Sequence, residues 1–174
     1  MYSAELDQQT VCALATPAGT GAISVVRMSG ARSLEIIKKA CPGLSGKDIE
    51  SHRVYFTKIR TETNETIDEV VVAYFADKKS FTGESSVEIS CHGNPIISKK
   101  ILDRLCQLGA RLADRGEFTY RAFMNDRIDL VQAEAVLSVI ESQSDNALKV
   151  SLRQLEGRVS KVFLQIESEL VWCL

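Results

Sequence analysis

The run Ser-Phe-Thr-Gly-Glu-Ser-Ser-Val-Glu-Ile-Ser-Cys-His-Gly-Asn at residues 80–94 decides the fold. Its second half is strand-like and stops abruptly at a His-Gly turn. Alternation sends Val87, Ile89 and Cys91 to one face and Ser86, Glu88 and Ser90 to the other, so a carboxylate shares a face with two small hydroxyls. Neighbours of that size leave room for a ligand beside the acid. Downstream, Asn94-Pro95 reads as the N-cap and first position of a helix. Its apolar stripe, Ile97, Ile101, Leu102, Leu105 and Leu108, ends at Gly109. Upstream, residues 52–59 and 67–76 read as the strands of a hairpin around the polar stretch 60–66. Residues 10–16 and 22–28 are two further β-rich runs joined by Pro-Ala-Gly-Thr-Gly, and 31–41 is a short helix closed by Pro42-Gly43. The expected architecture is α+β with a mixed sheet.

A second dense stretch, residues 115–136, interleaves charges, aromatics and helix formers too specifically for a linker. From about Phe118 the pattern is helical alone, which places a boundary there. Residues 1–118 form the α+β unit and 119–174 the first helices of an all-α unit. Leu148, Leu152, Leu155, Val159, Val162 and Ile166 repeat at spacings of four and three, predicting one helix that runs close to the last residue. No second helix of similar length is visible to cover that seam. The apolar end, residues 171–174, reads either as a C-terminal docking segment or as truncation inside a longer helical domain.

The 174 residues suffice for one full core and part of a second unit. With 45% hydrophobic and 25% charged residues, the composition is that of an ordinary soluble protein. Lys and Arg total 21 against 23 Asp and Glu, so the summed field offers no general attraction for nucleic acid, and a tRNA site would have to be a local patch. No run approaches the ~18 apolar residues of a membrane span, and the N-terminus lacks the basic and apolar regions of a secretion signal. The expected location is cytoplasmic. Five cysteines without C-x-x-C spacing or a His cluster read as reduced thiols, Cys12 and Cys106 as core residues, with Cys91 open because it ends the pocket strand.

Gly19-Thr-Gly21 is no phosphate loop. No Lys follows it, the next element is a strand, and position 24 is Ser where a dinucleotide loop has Gly. Its expected role is a tight turn from which Arg27 projects at the end of residues 23–27. On the residues alone, Arg27 reads most simply as a surface arginine at a strand end, Glu88 as a solvated glutamate or a ligand reader, and Arg127 as an exposed cation at a helix junction. His92 is either a turn cap or a general base, and neither a substrate proton nor an orienting partner is visible to favour the base. His52 has no visible partner. No His or carboxylate spacing supports a metal site.

Several ordered motifs carry a resemblance: Ala-Thr-Pro-Ala-Gly-Thr-Gly-Ala-Ile at 15–23, Val-Arg-Met-Ser-Gly at 26–30, Ser-Phe-Thr-Gly-Glu at 80–84, Glu-Ile-Ser-Cys-His-Gly at 88–93, Gly-Glu-Phe at 116–118, Arg-Ala-Phe-Met-Asn at 121–125 and Asp-Leu-Val-Gln-Ala-Glu-Ala at 129–135. The chain resembles the N-terminal region of the MnmE (TrmE) tRNA-modification GTPases. It departs from the usual pattern at Ala22, Cys91 and Asn94, where Gly is common, and at Arg127, where Lys is common. The resemblance implies a tetrahydrofolate-binding fold similar to that of the glycine-cleavage T-protein, and a homodimer with the folate close to the interface. It implies that Arg27, Glu88 and Arg127 bind a 5-formyl- or 5,10-methylene-tetrahydrofolate. Glu88 would accept from the adjacent ring N–H and amine of the pterin, and Arg27 would offer its fork to the tail carboxylates. It further implies that the whole protein, with an FAD-dependent MnmG (GidA) partner, builds the carboxymethylaminomethyl group on C5 of the tRNA wobble uridine. GTP, K⁺ and Mg²⁺ would belong to a GTPase domain, and a Cys-x-Gly-Lys motif to a C-terminal segment, both beyond residue 174. The rival expectation is a protein–protein assembly platform with a vestigial pocket.

Overall fold

A computed structural model describes residues 9–160 together with Phe163, Gln165, Ile166 and Glu169. The chain divides into two compact units, Met1–Phe118 and Thr119–Leu174, and the division falls inside the helix Glu117–Met124. In the first unit, strands β1 (Val11–Leu14), β2 (Ile23–Ser29), β3 (Arg53–Arg60), β4 (Thr66–Phe75), β5 (Ser86–His92) and β6 (Arg111–Leu112) form one sheet in the order β3-β4-β5-β2-β1-β6. Every pairing is antiparallel except β1 with β6, which is parallel, so the sheet is mixed.

The parallel strand is one that alternation does not reveal. Two residues are too short for a period-of-two signal, and β6 is defined by its bonds: Arg111 N–H donates to Thr10 O and Ala113 N–H to Cys12 O, both at 2.9 Å. His52, expected inside the first hairpin strand, instead precedes β3 in a turn with φ of 62°.

One sheet face is the core. Val26, Met28, Val70, Val72, Val87 and Ile89 are fully buried there, with Ile36 and Ile37 from α1 (Ser33–Ala40) and Ile101 and Leu105 from α2 (Pro95–Gln107) in the same cluster. Each such side chain contributes about 1.5–3 kcal/mol by leaving water. Helix α2 begins where the sequence indicates. The Asn94 side chain accepts from Ile96 N–H at 2.8 Å with Pro95 at the first helical position, a cap worth about 1 kcal/mol. The other sheet face is open in this unit, with Phe56 71% and Ile23 67% exposed beside Val54 and Val71.

Cys12, Cys41 and Cys91 are buried free thiols, and the Cys12 and Cys106 sulfurs lie 4.0 Å apart. Cys91, open from sequence, belongs to the core cluster and donates to Ser24 O at 3.4 Å. Cys173 lies outside the described residues. Burial first, and for Cys12 the neighbouring Cys106 second, pushes the Cys12 and Cys41 thiols from an ordinary 9.0 up to about 12. As pH rises, the unfolded chain therefore releases these protons before the folded one, so stability present below pH 9.0 is lost progressively toward about 12. Urea midpoints measured from pH 7 to 10.5 should fall only above about 9, and Cys12→Ala with Cys41→Ala should flatten the alkaline limb. A limb of unchanged slope in the double variant contradicts this assignment.

In the second unit, α3 (Glu117–Met124) leads to α4 (Leu130–Glu141) and α5 (Asp145–Leu155), and α4 packs against α5. Asp129 and Gln132 form a reciprocal capping box at the start of α4, and Ser144 caps α5. The expected single long helix is interrupted. Helix α5 stops at Leu155, Gly157 follows with φ of 74°, a left-handed position open to glycine, and helical residues resume at Arg158. Helix α4, 12 residues against 11 in α5, packs on it, and Gln132 Nε2 donates to Leu155 O at 2.8 Å, while Leu152 and Ile166 of the seam stay 41% and 47% exposed. Val162 and residues 171–174 lie outside the described residues. Among those described, no helix is long and apolar enough to cross a membrane.

Candidate functional site

The antiparallel register of β2 on β5 places Arg27 directly opposite Glu88 on the open face of the sheet. Such a pair stands about 4.5–5.5 Å apart at Cβ, and a guanidinium spans that gap easily. Here Arg27 Nε and Nη2 both donate to Glu88 Oε1, at 3.0 and 2.7 Å, with the two side chains 29% and 33% exposed. Nothing else among the described residues bonds the Glu88 carboxylate, which leaves Oε2 open. The Phe81 and Phe118 rings each lie 5.6 Å from the Arg27 guanidinium carbon, so stacking as well as charge fixes the arginine.

A hollow of about 190 Å³ opens at this pair, lined by Arg27 and Glu88, by Phe75, Thr82 and Ser86, and by Lys79, Ser80 and Phe81. Its floor is a network of buried hydroxyls. Ser29 Oγ donates to Glu84 Oε2 at 2.7 Å and lies 2.7 Å from Thr82 Oγ1, and Thr82 Oγ1 is 3.2 Å from Ser80 Oγ and 3.3 Å from Ser86 Oγ. Of the two small hydroxyls that alternation placed beside Glu88, Ser86 thus joins scaffolding that ties the 76–85 loop to β2 and β5. Chemically, the site offers an oriented carboxylate oxygen, aromatic walls and cations at its edge. That set suits a flat, donor-edged heterocycle carrying negative charge elsewhere.

Arg27 and Glu88 are therefore brought together, and more tightly than the sequence implies, since each was expected to meet a different end of a ligand. Arg127 belongs to the second unit. It is exposed in the turn after α3, where its N–H donates to Ala122 O at 2.9 Å. Glu117 is buried and held by the Arg111 guanidinium, whose Nη2 lies 2.6 Å from Oε1, and by Asp114 N–H at 2.7 Å.

His92 has the orienting partner that the sequence did not disclose. Asp68, only 8% exposed, accepts His92 N–H at 2.8 Å and sits 2.8 Å from His92 Nδ1, closing the end of the β4–β5 ladder. The cap reading of His92 is the one this geometry favours. A signal existed: alternation in β4 aligns Asp68 with Val70 and Val72 on the core face, where an acid needs a partner. Phe81, Phe118 and Lys79 were missed because each acts through the folded loop and no local pattern marks it. Among the described residues, no cluster of three metal-ligating side chains exists.

Residues 10–127 match the family model described as GTP-binding protein TrmE N-terminus. The chain belongs to this family. It is similar to the tRNA modification GTPase MnmE of Bdellovibrio bacteriovorus, 52% identical over 175 residues that cover 100% of the chain and 36% of that protein. It is likewise similar to MnmE of Fervidobacterium nodosum, 43% identical over 95% of the chain and 37% of the relative, and to that of Streptococcus mutans, 42% identical over 98% and 37%. The chain thus spans a little over a third of the MnmE proteins it matches, and its 174 residues contain no G-x-x-x-x-G-K-[ST] nucleotide loop. All the motifs read from the sequence up to Asn125 fall inside the stretch matched to the TrmE N-terminus.

Proposed function

We propose that this chain is the folate-binding and dimerising portion of an MnmE-type GTPase. Residues 1–118 would form the folate unit and 119–174 the first helices of the central helical domain. The observation that carries the reading is the Arg27–Glu88 pair at the mouth of a hydroxyl-floored hollow, with Oε2 of the acid open. A reduced pterin offers a ring N–H and an amine side by side. It would take Oε2 directly and share Oε1 with Arg27, which keeps the carboxylate turned toward the ligand. Arg127 is proposed as a third folate-binding residue on the strength of the family pattern. Family membership supports the wider role. The intact protein, with an MnmG-type flavoprotein, would use the one-carbon unit of 5-formyl- or 5,10-methylene-tetrahydrofolate to modify C5 of the tRNA wobble uridine. GTP, K⁺ and Mg²⁺ would act in a separate GTPase domain.

Titration of 5-formyltetrahydrofolate into the 174-residue chain by calorimetry tests the pocket. Saturable heat is expected, and its absence at millimolar ligand sinks the reading. The same preparation should show no potassium-stimulated GTP turnover above the buffer rate. Measurable phosphate release by pure protein would contradict the division of labour.

A second reading, an assembly platform with a weak pocket, has its own support. The Arg27 fork is already occupied by Glu88, and the open sheet face leaves Phe56 and Ile23 exposed beside Val54 and Val71. Under it, sedimentation gives a dimer that Phe56→Glu dissociates while folate heats stay at baseline.

A further inference from the structure

The hollow is smaller than the ~300–1,000 Å³ of pockets that enclose whole drug-sized ligands, at about 190 Å³. On the pocket reading proposed above, it therefore holds the bicyclic ring, and the acidic tail leaves across the rim. The cation assigned to that tail from sequence, Arg27, has its Nε and Nη2 on Glu88 Oε1 and its plane flanked by Phe81 and Phe118. Swinging it to a carboxylate would strip the acid of its partner.

Lys79 stands at the rim instead. Its backbone is fixed: Lys79 N–H donates to Ala76 O at 3.0 Å, Lys78 N–H to Gly83 O at 2.8 Å, and Ser80 Oγ to Glu84 O. Its side chain is exposed, lines the hollow and makes no hydrogen bond or ion pair among the described residues. Unlike Lys39, which is paired to Glu35 at 2.6 Å, and Lys58, paired to Glu69 at 3.0 Å, Lys79 lines the hollow. A rigid mount with a free ammonium on a flexible stem suits a mobile anion that presents no fixed geometry.

We infer that Lys79 is the residue that meets the carboxylates of the ligand tail, and that Arg27 is a positioning residue for Glu88. The test compares 5-formyltetrahydrofolate with a reduced pterin lacking the p-aminobenzoylglutamate tail, both titrated into the intact chain. The wild type should favour the tailed compound by about fivefold through this solvent-screened contact, and more salt should shrink the preference. In Lys79→Gln the preference and its salt dependence should vanish, and Lys79→Arg should restore both. A preference that survives Lys79→Gln overturns the assignment while leaving the pocket intact. Failure of the wild type to bind either compound overturns the pocket reading, and this inference with it.

Discussion

Glu88→Ala should weaken 5-formyltetrahydrofolate binding by about ten- to a hundred-fold, because a hydrogen bond to a charged group is worth about 1.5–3 kcal/mol and no neighbouring acid can replace this one. The carboxylate is the acceptor at the hollow's mouth, and the remaining lining is hydroxyl, aromatic or cationic. Stability should change far less. The Arg27–Glu88 pair is a cross-strand contact about a third exposed, and such pairs contribute about 0.2–1 kcal/mol. Glu88→Gln separates charge from shape. It keeps one acceptor oxygen of similar position but turns the other into a donor facing a donor edge, so it should bind no better than the alanine variant. Calorimetry reports the affinity and a thermal melt reports the fold. Retention of wild-type affinity by Glu88→Ala in a normally folded protein would remove the basis for the pocket.

Most of the first unit was legible because its elements are long and buried on one side. The alternation of β5, the two strands around the 60–66 loop and the Asn94-Pro95 start of α2 each follow from local pattern. What stayed hidden was non-local. Strand β6 is two residues held by bonds to Thr10 and Cys12 about a hundred positions away. The Arg27–Glu88 pairing depends on the register of β2 against β5, which neither strand specifies alone. Sequence could name both residues, but it assigned them to opposite ends of a ligand. Spacing also misled at Leu155, where a seam of correct period is interrupted by the backbone of Gly157 before helical residues resume at Arg158. Period reports which residues would share a face, and says nothing of whether the helix persists to present it.

The glycine turn at the end of the sheet carries the largest expected stability effect. Gly21 N–H donates to Gly93 O at 2.8 Å and Gly93 N–H to Ala22 O at 3.2 Å, a junction that seats the start of β2 against the end of β5. A Cβ on Gly93 would collide with the Gly21 carbonyl, and backbone cannot rotate aside as a long side chain can. Overpacking of this kind costs about 1–3 kcal/mol or more, so Gly93→Ala should melt roughly 5–15 °C lower. Gly21→Ala is the control at the same junction. Its Cβ would meet only Ile23 O at 3.9 Å, an ordinary contact, and it should melt within about 2 °C of wild type. The two variants differ in function as well. Ile23 pairs with His92 at this end and Arg27 with Glu88 four residues along, so a strand displaced at Gly93 carries its misalignment to the ion pair. Gly93→Ala should therefore lose folate affinity at temperatures where it is still folded, and Gly21→Ala should not. Equal melting temperatures for the two variants would mean that the junction yields, and that the register of the site is set elsewhere in the sheet.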